Sequence, residues 1–197
     1  MNDKAELEAR RSLKKRKIID SCRKAFSEGG IEATSISKLC KAAKVNPKVM
    51  YDYFPSKEEI VLACTSRSFE MISDIIVRDI KNNDGDIIEN IDKLIDDCYS
   101  VREGIRFLYQ VVVSPNYREK IQKLVRPLHQ IYDDCKETLS EKFGVSIEEI
   151  EPIFHLIVSS IDYYCLLEDK ASIEYAKKEL YPEIRRLVEK TTQAKAE

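Results

Sequence analysis

The sequence predicts an all-α fold, on its composition and on the spacing of its apolar residues. The 197 residues include only 5 Gly and 6 Pro, the two residue types that are most frequent in loops and turns. Apolar side chains recur at helical spacing in nine successive segments, and no segment alternates as a half-buried strand would. We therefore predict nine helices and no sheet, in a chain long enough to bury a hydrophobic core.

The first predicted helix has one apolar face and one basic face. Ile18, Cys22 and Phe26 are spaced for the apolar face, and the helix is expected to end at Gly29. Residues 1–11 are expected either to extend this helix or to fray. The basic face is predicted to carry six cations, Lys14, Lys15, Arg16, Lys17, Arg23 and Lys24. Such a run is usually a solvated surface, but beside a DNA-binding element it would contact phosphates.

Residues 36–59 predict two short helices joined by a tight turn, followed by the start of a third. Ser35 is a good N-cap for the first short helix, and Asn46 followed by Pro47 is a good start for the second. The second helix is predicted to end near Tyr53, and a helix of barely two turns is not stable alone. It must therefore pack on its neighbours, in the arrangement of a helix-turn-helix that binds duplex DNA.

Two capping boxes mark the starts of longer helices. Ser56 with Glu59 begins an amphipathic helix that is expected to run to about Asn82. Ser146 with Glu149 begins the eighth helix, and a ninth amphipathic helix closes the chain. Three further helices, the fifth to the seventh, are predicted between these two capped helices.

Charge is distributed unevenly along the chain. The net charge is −2, but residues 1–60 hold 14 basic and 9 acidic residues, net +5, and the remainder holds 19 and 26, net −7. A basic front and an acidic remainder favour a DNA-facing head attached to a body that does not bind DNA.

The six cysteines are widely separated, and each lies on or beside an apolar stripe. We predict reduced, buried thiols, with metal binding or redox sensing by a pair as the open alternative. The sequence shows no signal peptide and no uninterrupted apolar run of about 20 residues. It is therefore expected to be cytoplasmic, without a membrane partner.

The exit from the predicted helix-turn-helix carries a specific motif. Residues 50–60, MYDYFPSKEEI, match the pattern Leu-Tyr-x-Tyr-Phe-x-x-Lys-Glu-x-Leu, with Met and Ile at its ends. Together with the order and spacing of the preceding helices, this motif makes residues 12–60 resemble the N-terminal domain of the TetR family of bacterial transcriptional regulators. The resemblance covers about a quarter of the chain.

The resemblance implies a nine-helix architecture with two domains. Residues 12–58 would form the three-helix DNA-binding domain, and residues 59–197 a helical domain for ligand binding and dimerisation. It further implies a homodimer, most often a repressor, that binds a palindromic double-stranded DNA operator. A small-molecule effector would release the operator by tilting the long fourth helix.

The candidate DNA contacts are the caps, the outward positions of the two short helices and the motif residues that follow them. They are Ser35, Ser37, Lys38, Asn46, Lys48, Val49, Tyr51, Asp52, Tyr53 and Lys57. For Tyr53, packing in the core is the alternative to a phosphate contact. Lys44 and Lys48 stand where the family usually has glycine or a small residue. A lysine in a turn that needs positive φ would cost about 1 kcal/mol.

Polar aromatic and charged side chains on the later helices predict a ligand pocket. The candidates are Tyr99, Arg102, Arg106, Tyr109, Gln110, His129, Tyr132, Asp133 and Tyr163. Ordinary core or interface tyrosines are the alternative. Dimer-interface candidates on the last two helices are Ile153, Phe154, Ile157, Ile161, Tyr164, Leu180, Ile184 and Leu187. His129 and Asp133 have no third ligand at metal-binding spacing, so no metal and no cofactor are predicted.

The sequence contains no nucleophile elbow, phosphate-binding glycine loop or zinc-ligand spacing, and we predict no enzymatic activity. The leading hypothesis is therefore a ligand-responsive DNA-binding regulator. The rival hypothesis is an all-helical protein–protein interaction module that kept the fold and lost operator binding.

Overall fold

A computed structural model of the protein describes residues 2–194, with side chains from residue 4 to residue 189. Within this range the chain forms nine α-helices and no strand, which confirms the predicted all-α fold. The helices are α1 Asn2–Gly29, α2 Ile36–Ala43, α3 Pro47–Tyr53, α4 Lys57–Ile76, α5 Ile87–Ser100, α6 Arg102–Val113, α7 Gln122–Phe143, α8 Ile147–Leu167 and α9 Lys170–Ala194.

The chain divides into two compact units that do not follow a single cut along the sequence. The first unit contains the residues up to 70 together with residues 103–124, and the second contains residues 71–102 together with those from 125 onwards. Most of α6 therefore belongs with the N-terminal helices. The predicted domains, 12–58 and 59–197, stay a prediction.

The first unit is built around the apolar face of α1. Ile18, Cys22 and Phe26 are at most 2% exposed, as their spacing predicts. The Phe26 ring stacks on that of Phe107 in α6, with 5.7 Å between the ring centroids. Because burying a side chain of this size stabilises a fold by about 1.5–3 kcal/mol, this face holds α1 and α6 in the same unit.

Arg23 corrects the prediction of an exposed basic face on α1. Arg23 is only 8% exposed. Its Nη1 atom lies 2.7 Å from the position that a Cβ on Gly104 would occupy. Arg23 lies three residues before Phe26, so it falls on the same side of the helix, where α6 covers it. The lysines and the arginine between residues 14 and 17 are exposed as predicted.

In the second unit, α8 packs against α5 and α9. The buried face of α5 includes Ile91, Leu94 and Cys98. The ring of Tyr99 stacks on that of Tyr164 in α8, with 4.5 Å between centroids. Aromatic stacking of this kind adds specificity to a contact that apolar burial already favours.

All six cysteines are free and buried, as predicted. Burial raises the pKa of the Cys22 thiol to about 12, and that of Cys135 to about 11. Thiols with raised pKa values are weak nucleophiles at neutral pH, because only the thiolate reacts.

The eighth helix is the only described helix whose length and composition would suffice to cross a membrane. Its 21 residues have a hydropathy of 1.3 over the most apolar window. The sequence lacks an uninterrupted apolar run here because Glu148, Glu149 and Asp162 lie within the helix. Absence of a membrane partner stays a prediction.

The fourth helix ends in a π-helical turn, Val77–Lys81, that is fixed by a buried carboxylate. The Asp79 side chain is fully buried and accepts hydrogen bonds from Arg78, at 2.7 and 2.8 Å, and from Lys93 of α5, at 2.7 Å. Burial alone would raise the pKa of Asp79, but these hydrogen bonds outweigh it and the pKa is lowered. The network therefore ties the end of α4 to α5.

We expect Asp79→Asn to lower the free energy of unfolding by about 1–3 kcal/mol near neutral pH, because Arg78 and Lys93 lose the charge of a buried acceptor. A carboxyl group with a lowered pKa in the folded state stabilises above its unfolded pKa of about 3.9. That contribution is lost as the pH falls through the lower folded pKa. The difference between wild type and variant should therefore shrink on acidification.

Urea denaturation at a series of pH values measures this difference. Asp74→Asn is the matched control, because Asp74 is exposed on the same helix. Equal effects of the two substitutions at neutral pH would contradict the role of the Asp79 network.

Candidate nucleic-acid interface

The first short helix begins with the predicted cap. Ser35 has extended backbone dihedrals, and its Oγ accepts a hydrogen bond from the backbone N–H of Lys38 at 3.3 Å. Leu39 and Cys40 are buried and hold α2 against α1. The cap satisfies one of the otherwise unpaired N–H groups and fixes where α2 begins.

The turn between α2 and α3 is left-handed at Lys44. This residue has φ 53° and ψ 42°, and its backbone N–H donates to the carbonyl oxygen of Lys41 at 3.2 Å. The next N–H, of Val45, donates to the carbonyl of Cys40 at 3.0 Å. The prediction that this turn needs positive φ is confirmed. A side chain in this region of φ/ψ space costs about 1 kcal/mol relative to glycine.

The second short helix is capped at its start and buried on one side only. Asn46 Oδ1 accepts a hydrogen bond from the Val49 N–H at 2.9 Å, and Pro47 occupies the first helical position. Met50 and Phe54 are at most 2% exposed. The opposite side of α3 faces solvent, and its exposed residues are Lys48, Tyr51 and Asp52.

Cations from α1 lie over the aromatic exit of α3. The Arg11 guanidinium is 5.6 Å from the centroid of the Tyr53 ring, and the Lys15 ammonium is 5.4 Å from that of Phe54. Tyr53 is half-buried, so it is engaged in packing. Arg11 was not among the predicted contacts, although its spacing of one helical turn from Lys15 places both on one face.

Two of the predicted phosphate-binding lysines are anchored locally. Lys57 Nζ donates to the carbonyl oxygen of Glu32 at 3.2 Å, and Lys38 Nζ donates to that of Ala33 at 3.4 Å. Both lysines lie beside the N-terminus of a helix, where backbone N–H groups favour an anion. Their contact with phosphate stays a prediction.

The predicted contacts together form one surface of α2, α3 and their caps. Seven of the ten are exposed, namely Ser35, Ser37, Lys38, Asn46, Lys48, Tyr51 and Asp52, and Val49, Tyr53 and Lys57 are half-buried. Within residues 4–189, no ion pair neutralises Lys38, Lys41, Lys44 or Lys48. The surface therefore presents uncompensated positive charge, which is what a phosphate backbone attracts.

The predicted ligand-pocket residues are divided between the two units. Arg106, Tyr109 and Gln110 belong to the first unit, and the other six to the second. The Gln110 amide binds backbone groups at the end of α1: its Oε1 accepts from the Ile31 N–H at 3.1 Å and its Nε2 donates to the Ser27 carbonyl at 3.2 Å.

Within the second unit, two of the remaining candidates contact each other. The Arg102 guanidinium lies 4.4 Å from the Tyr99 ring centroid and forms an ion pair with Glu168 at 3.4 Å. His129, Asp133 and Tyr163 are exposed. Tyr132 alone among the nine lines the internal cavity of this unit. Binding of an effector by the other eight stays a prediction.

The predicted dimer-interface residues are buried or half-buried within the second unit, and their role in dimerisation stays a prediction. Ile153, Phe154, Ile157, Ile184 and Leu187 line the cavity, Ile161 is buried, Tyr164 stacks on Tyr99, and Leu180 is half-buried. The outward apolar residues of α8 are Leu156, Tyr163 and Leu167, 48–60% exposed. They lie about one third of a helical turn from the predicted set, because hydrophobic spacing alone does not tell which apolar face packs internally.

Helices α2 and α3 are short, each is capped at its start, and α3 is exposed on one side. Together with α1 they form a helix-turn-helix domain. Residues 18–64 match the family model described as "Bacterial regulatory proteins, tetR family". The match covers about a quarter of the chain and coincides with the helix-turn-helix.

Similarity to individual relatives is concentrated in the same region. The HTH-type transcriptional regulator UidR of Escherichia coli K12 is 34% identical over 47 residues, which is 24% of each chain. The biofilm operon icaADBC HTH-type negative transcriptional regulator IcaR of Staphylococcus epidermidis is 24% identical over 141 residues, covering 72% of this chain and 65% of IcaR. The chain thus matches only about a quarter of the length of UidR.

The fold extends beyond that region. The crystal structure of a TerR/AcrR-family transcriptional regulator from Aquifex aeolicus VF5 superimposes with a TM-score of 0.68 at 18% identity. The match covers 88% of this chain and 99% of that one. It shows that the all-helical fold extends over 88% of this chain, well beyond the residues of the family motif.

We expect Lys44→Gly to raise the free energy of unfolding by about 1 kcal/mol, because glycine adopts the left-handed turn without a Cβ penalty. Urea denaturation of the full chain measures the change. Lys41→Gly is the matched control, because Lys41 is an exposed lysine inside α2. There glycine should lower stability by about 1 kcal/mol, and the same sign for both variants would contradict the left-handed turn.

Proposed function

We propose that the protein is a homodimeric DNA-binding transcriptional regulator, a repressor that binds a palindromic operator and is released by a small molecule. The observation that carries the proposal is the one-sided burial of α3. Met50 and Phe54 fix the helix to the core, while Lys48, Tyr51 and Asp52 are exposed on its other side. A helix held in this way enters a major groove with its outward side chains facing the bases.

Each exposed residue of α3 supplies a different contact in this proposal. Lys48 places an ammonium group near the helix start, where it binds phosphate or a guanine edge. Tyr51 donates its hydroxyl to phosphate. Asp52 accepts from a cytosine amino group and disfavours phosphate, so it contributes selectivity more than affinity. Lys38 and Lys57 bind phosphates beside the starts of α2 and α4.

Relatives support regulation as the activity. UidR is described as an HTH-type transcriptional regulator and IcaR as a negative regulator of a biofilm operon. These descriptions concern UidR and IcaR themselves. The match to this chain is densest over residues 18–64, the part that carries the helix-turn-helix, and this favours DNA binding over the rival role as a protein–protein interaction module.

We expect the protein to bind DNA that flanks its own gene, and Tyr51→Ala and Lys48→Ala to weaken binding by about tenfold each. Removing a phosphate-contacting lysine should also reduce the slope of log K against log salt concentration by about 1. Fluorescence anisotropy with labelled duplexes over a salt series measures both quantities.

Lys123→Ala is the matched control for these variants, because Lys123 is an exposed lysine of α7, outside α2, α3 and the proposed dimer helices. It should leave affinity and salt slope unchanged. Failure of the wild-type protein to bind any flanking duplex at low salt would refute the proposal and favour the protein–protein module.

Dimerisation is proposed to use α8 and α9 of two copies. Leu156, Tyr163 and Leu167 form an outward apolar stripe on α8, and Tyr175 on α9 is 66% exposed. Exposed apolar side chains arranged in one stripe are typical of helices that pack against a partner. A dimer carries two copies of α3, one for each half of a palindromic operator.

We expect Leu156→Arg combined with Leu167→Arg to convert a dimer into a monomer, because each unpaired charge would be desolvated in the interface. Sedimentation velocity at several concentrations measures the mass. Leu13→Arg on α1 is the control, because Leu13 is 56% exposed and lies in the first unit. A dimer that survives the double substitution would exclude this face.

The effector is proposed to act through the end of α4. Ile76 in the last turn of α4 and Ile80 in the π-helical turn both line the internal cavity of the second unit. A molecule bound in the cavity would press on these side chains and change the direction of α4. Since π-helical turns shift more easily than regular helix, this turn is a suitable point of movement.

A further inference from the structure

The second unit contains an apolar cavity with a volume of about 100 Å³. Its lining comes from the end of α4, the π-helical turn and helices α5, α7, α8 and α9. It is partly open to solvent, since lining residues of α8 such as Phe154 and Ile157 are only half-buried. Protein interiors are close-packed, and voids larger than a water molecule are few. A cavity of this size is therefore a candidate ligand site.

The lining is almost entirely hydrocarbon. Ile80, Ile91, Leu94 and Phe154 are representative, and Tyr132 contributes the only hydroxyl among the described lining side chains. No described lining residue is charged. Burial raises the pKa of the Tyr132 hydroxyl, so the phenol stays neutral at physiological pH. An ionised ligand would leave its hydration shell without gaining a compensating charge.

Two charged residues of the π-helical turn are engaged elsewhere. Asp79 accepts from Arg78 and Lys93, and Lys81 forms an ion pair with Asp134 of α7 at 2.9 Å. Asp162 of α8 contributes to the raised pKa of the Tyr132 hydroxyl, but it does not itself line the cavity. The π-helical turn separates the two environments, because Ile80 lines the cavity while its neighbour Asp79 is held by Lys93.

The cavity is also expected to be preformed. Four of its lining side chains come from isoleucines in and around the π-helical turn and α5, Ile76, Ile80, Ile87 and Ile91, each at most 9% exposed. β-Branched side chains have restricted χ1 rotamers, so they do not readily collapse into the space. Apolar cavities of this kind stay dry and bind small apolar molecules.

We propose that this cavity binds an uncharged, predominantly hydrocarbon molecule of about the size of a single ring or a short chain, and that this is the chemical class of the effector. The second part rests on the proposed function, because an effector exists only if the protein is a ligand-responsive regulator. The tyrosines and arginines singled out in the sequence suggest a polar or charged ligand. The lining of the cavity instead favours an apolar ligand.

The test is isothermal titration of the full-length protein with toluene and with benzenesulfonate, which share a ring and differ in charge. Toluene should bind saturably at one site per chain, and benzenesulfonate should not bind. Ile91→Phe should weaken toluene binding by about tenfold or more, because the added ring occupies the space. Ile88→Phe is the matched control: Ile88 is an equally buried isoleucine of α5 that does not line the cavity.

A second variant keeps the result interpretable. Leu94→Phe also fills the cavity and replaces Ile91→Phe if that protein does not fold. Binding of benzenesulfonate as tight as that of toluene, absence of toluene binding, or equal loss in Ile91→Phe and Ile88→Phe would each overturn the proposal.

Operator binding is measured separately, by anisotropy, with and without toluene. Toluene binding that depends on Ile91, in a protein that binds no DNA, supports the cavity's ligand class and refutes the proposed function. DNA binding without toluene binding overturns the inference and leaves the proposed function standing. Release of DNA by toluene in the wild type, and its loss in Ile91→Phe, supports both.

Discussion

The geometry of the DNA-facing surface depends on the burial of one side of a helix that cannot form alone. Seven residues make fewer than two turns, and the cost of nucleating such a helix exceeds what its own hydrogen bonds return. Met50 and Phe54 supply the missing stability by burial against the first unit, and Asn46 fixes the starting point. Because burial is confined to one side, the other side is left for recognition.

The same constraint explains why the turn before α3 tolerates strain. Lys44 adopts a left-handed conformation that glycine would adopt more readily. The surrounding hydrogen bonds, from the N–H groups of Lys44 and Val45 to the carbonyls of α2, fix this conformation. In return, the lysine adds a cation beside Lys41 and Lys48 on a surface that lacks ion-pair partners. A stability cost at the turn is thus coupled to a more positive surface.

In the second unit, neighbouring polar and apolar side chains of the π-helical turn have different surroundings. Asp79 is buried within a set of ion pairs, and Ile80 beside it lines a cavity of hydrocarbon. Ion pairs fix one side of the π-helical turn, and the other side borders the cavity. A molecule bound in the cavity would therefore act at this turn. A change there would be felt at the end of α4, because the turn continues that helix directly.

The sequence by itself determined the number of helices and the caps at Ser35, Asn46 and Ser146, whereas positive φ at Lys44 was implied by the resemblance to a family that usually has glycine there. These are local properties, set by backbone conformation and by hydrogen bonds between residues a few positions apart. It also carried the family motif, because the residues of that motif are contiguous in the chain.

Only the tertiary structure decided which apolar and charged residues face inward. The burial of Arg23 depends on α6, more than 70 residues away in the chain. The internal position of Ile157 and Leu187, and the exposure of Leu156 and Tyr163, depend on how α8 packs against α5 and α9. Helical periodicity shows that a helix has an apolar face, but the partner that covers it is set by packing between segments distant in sequence.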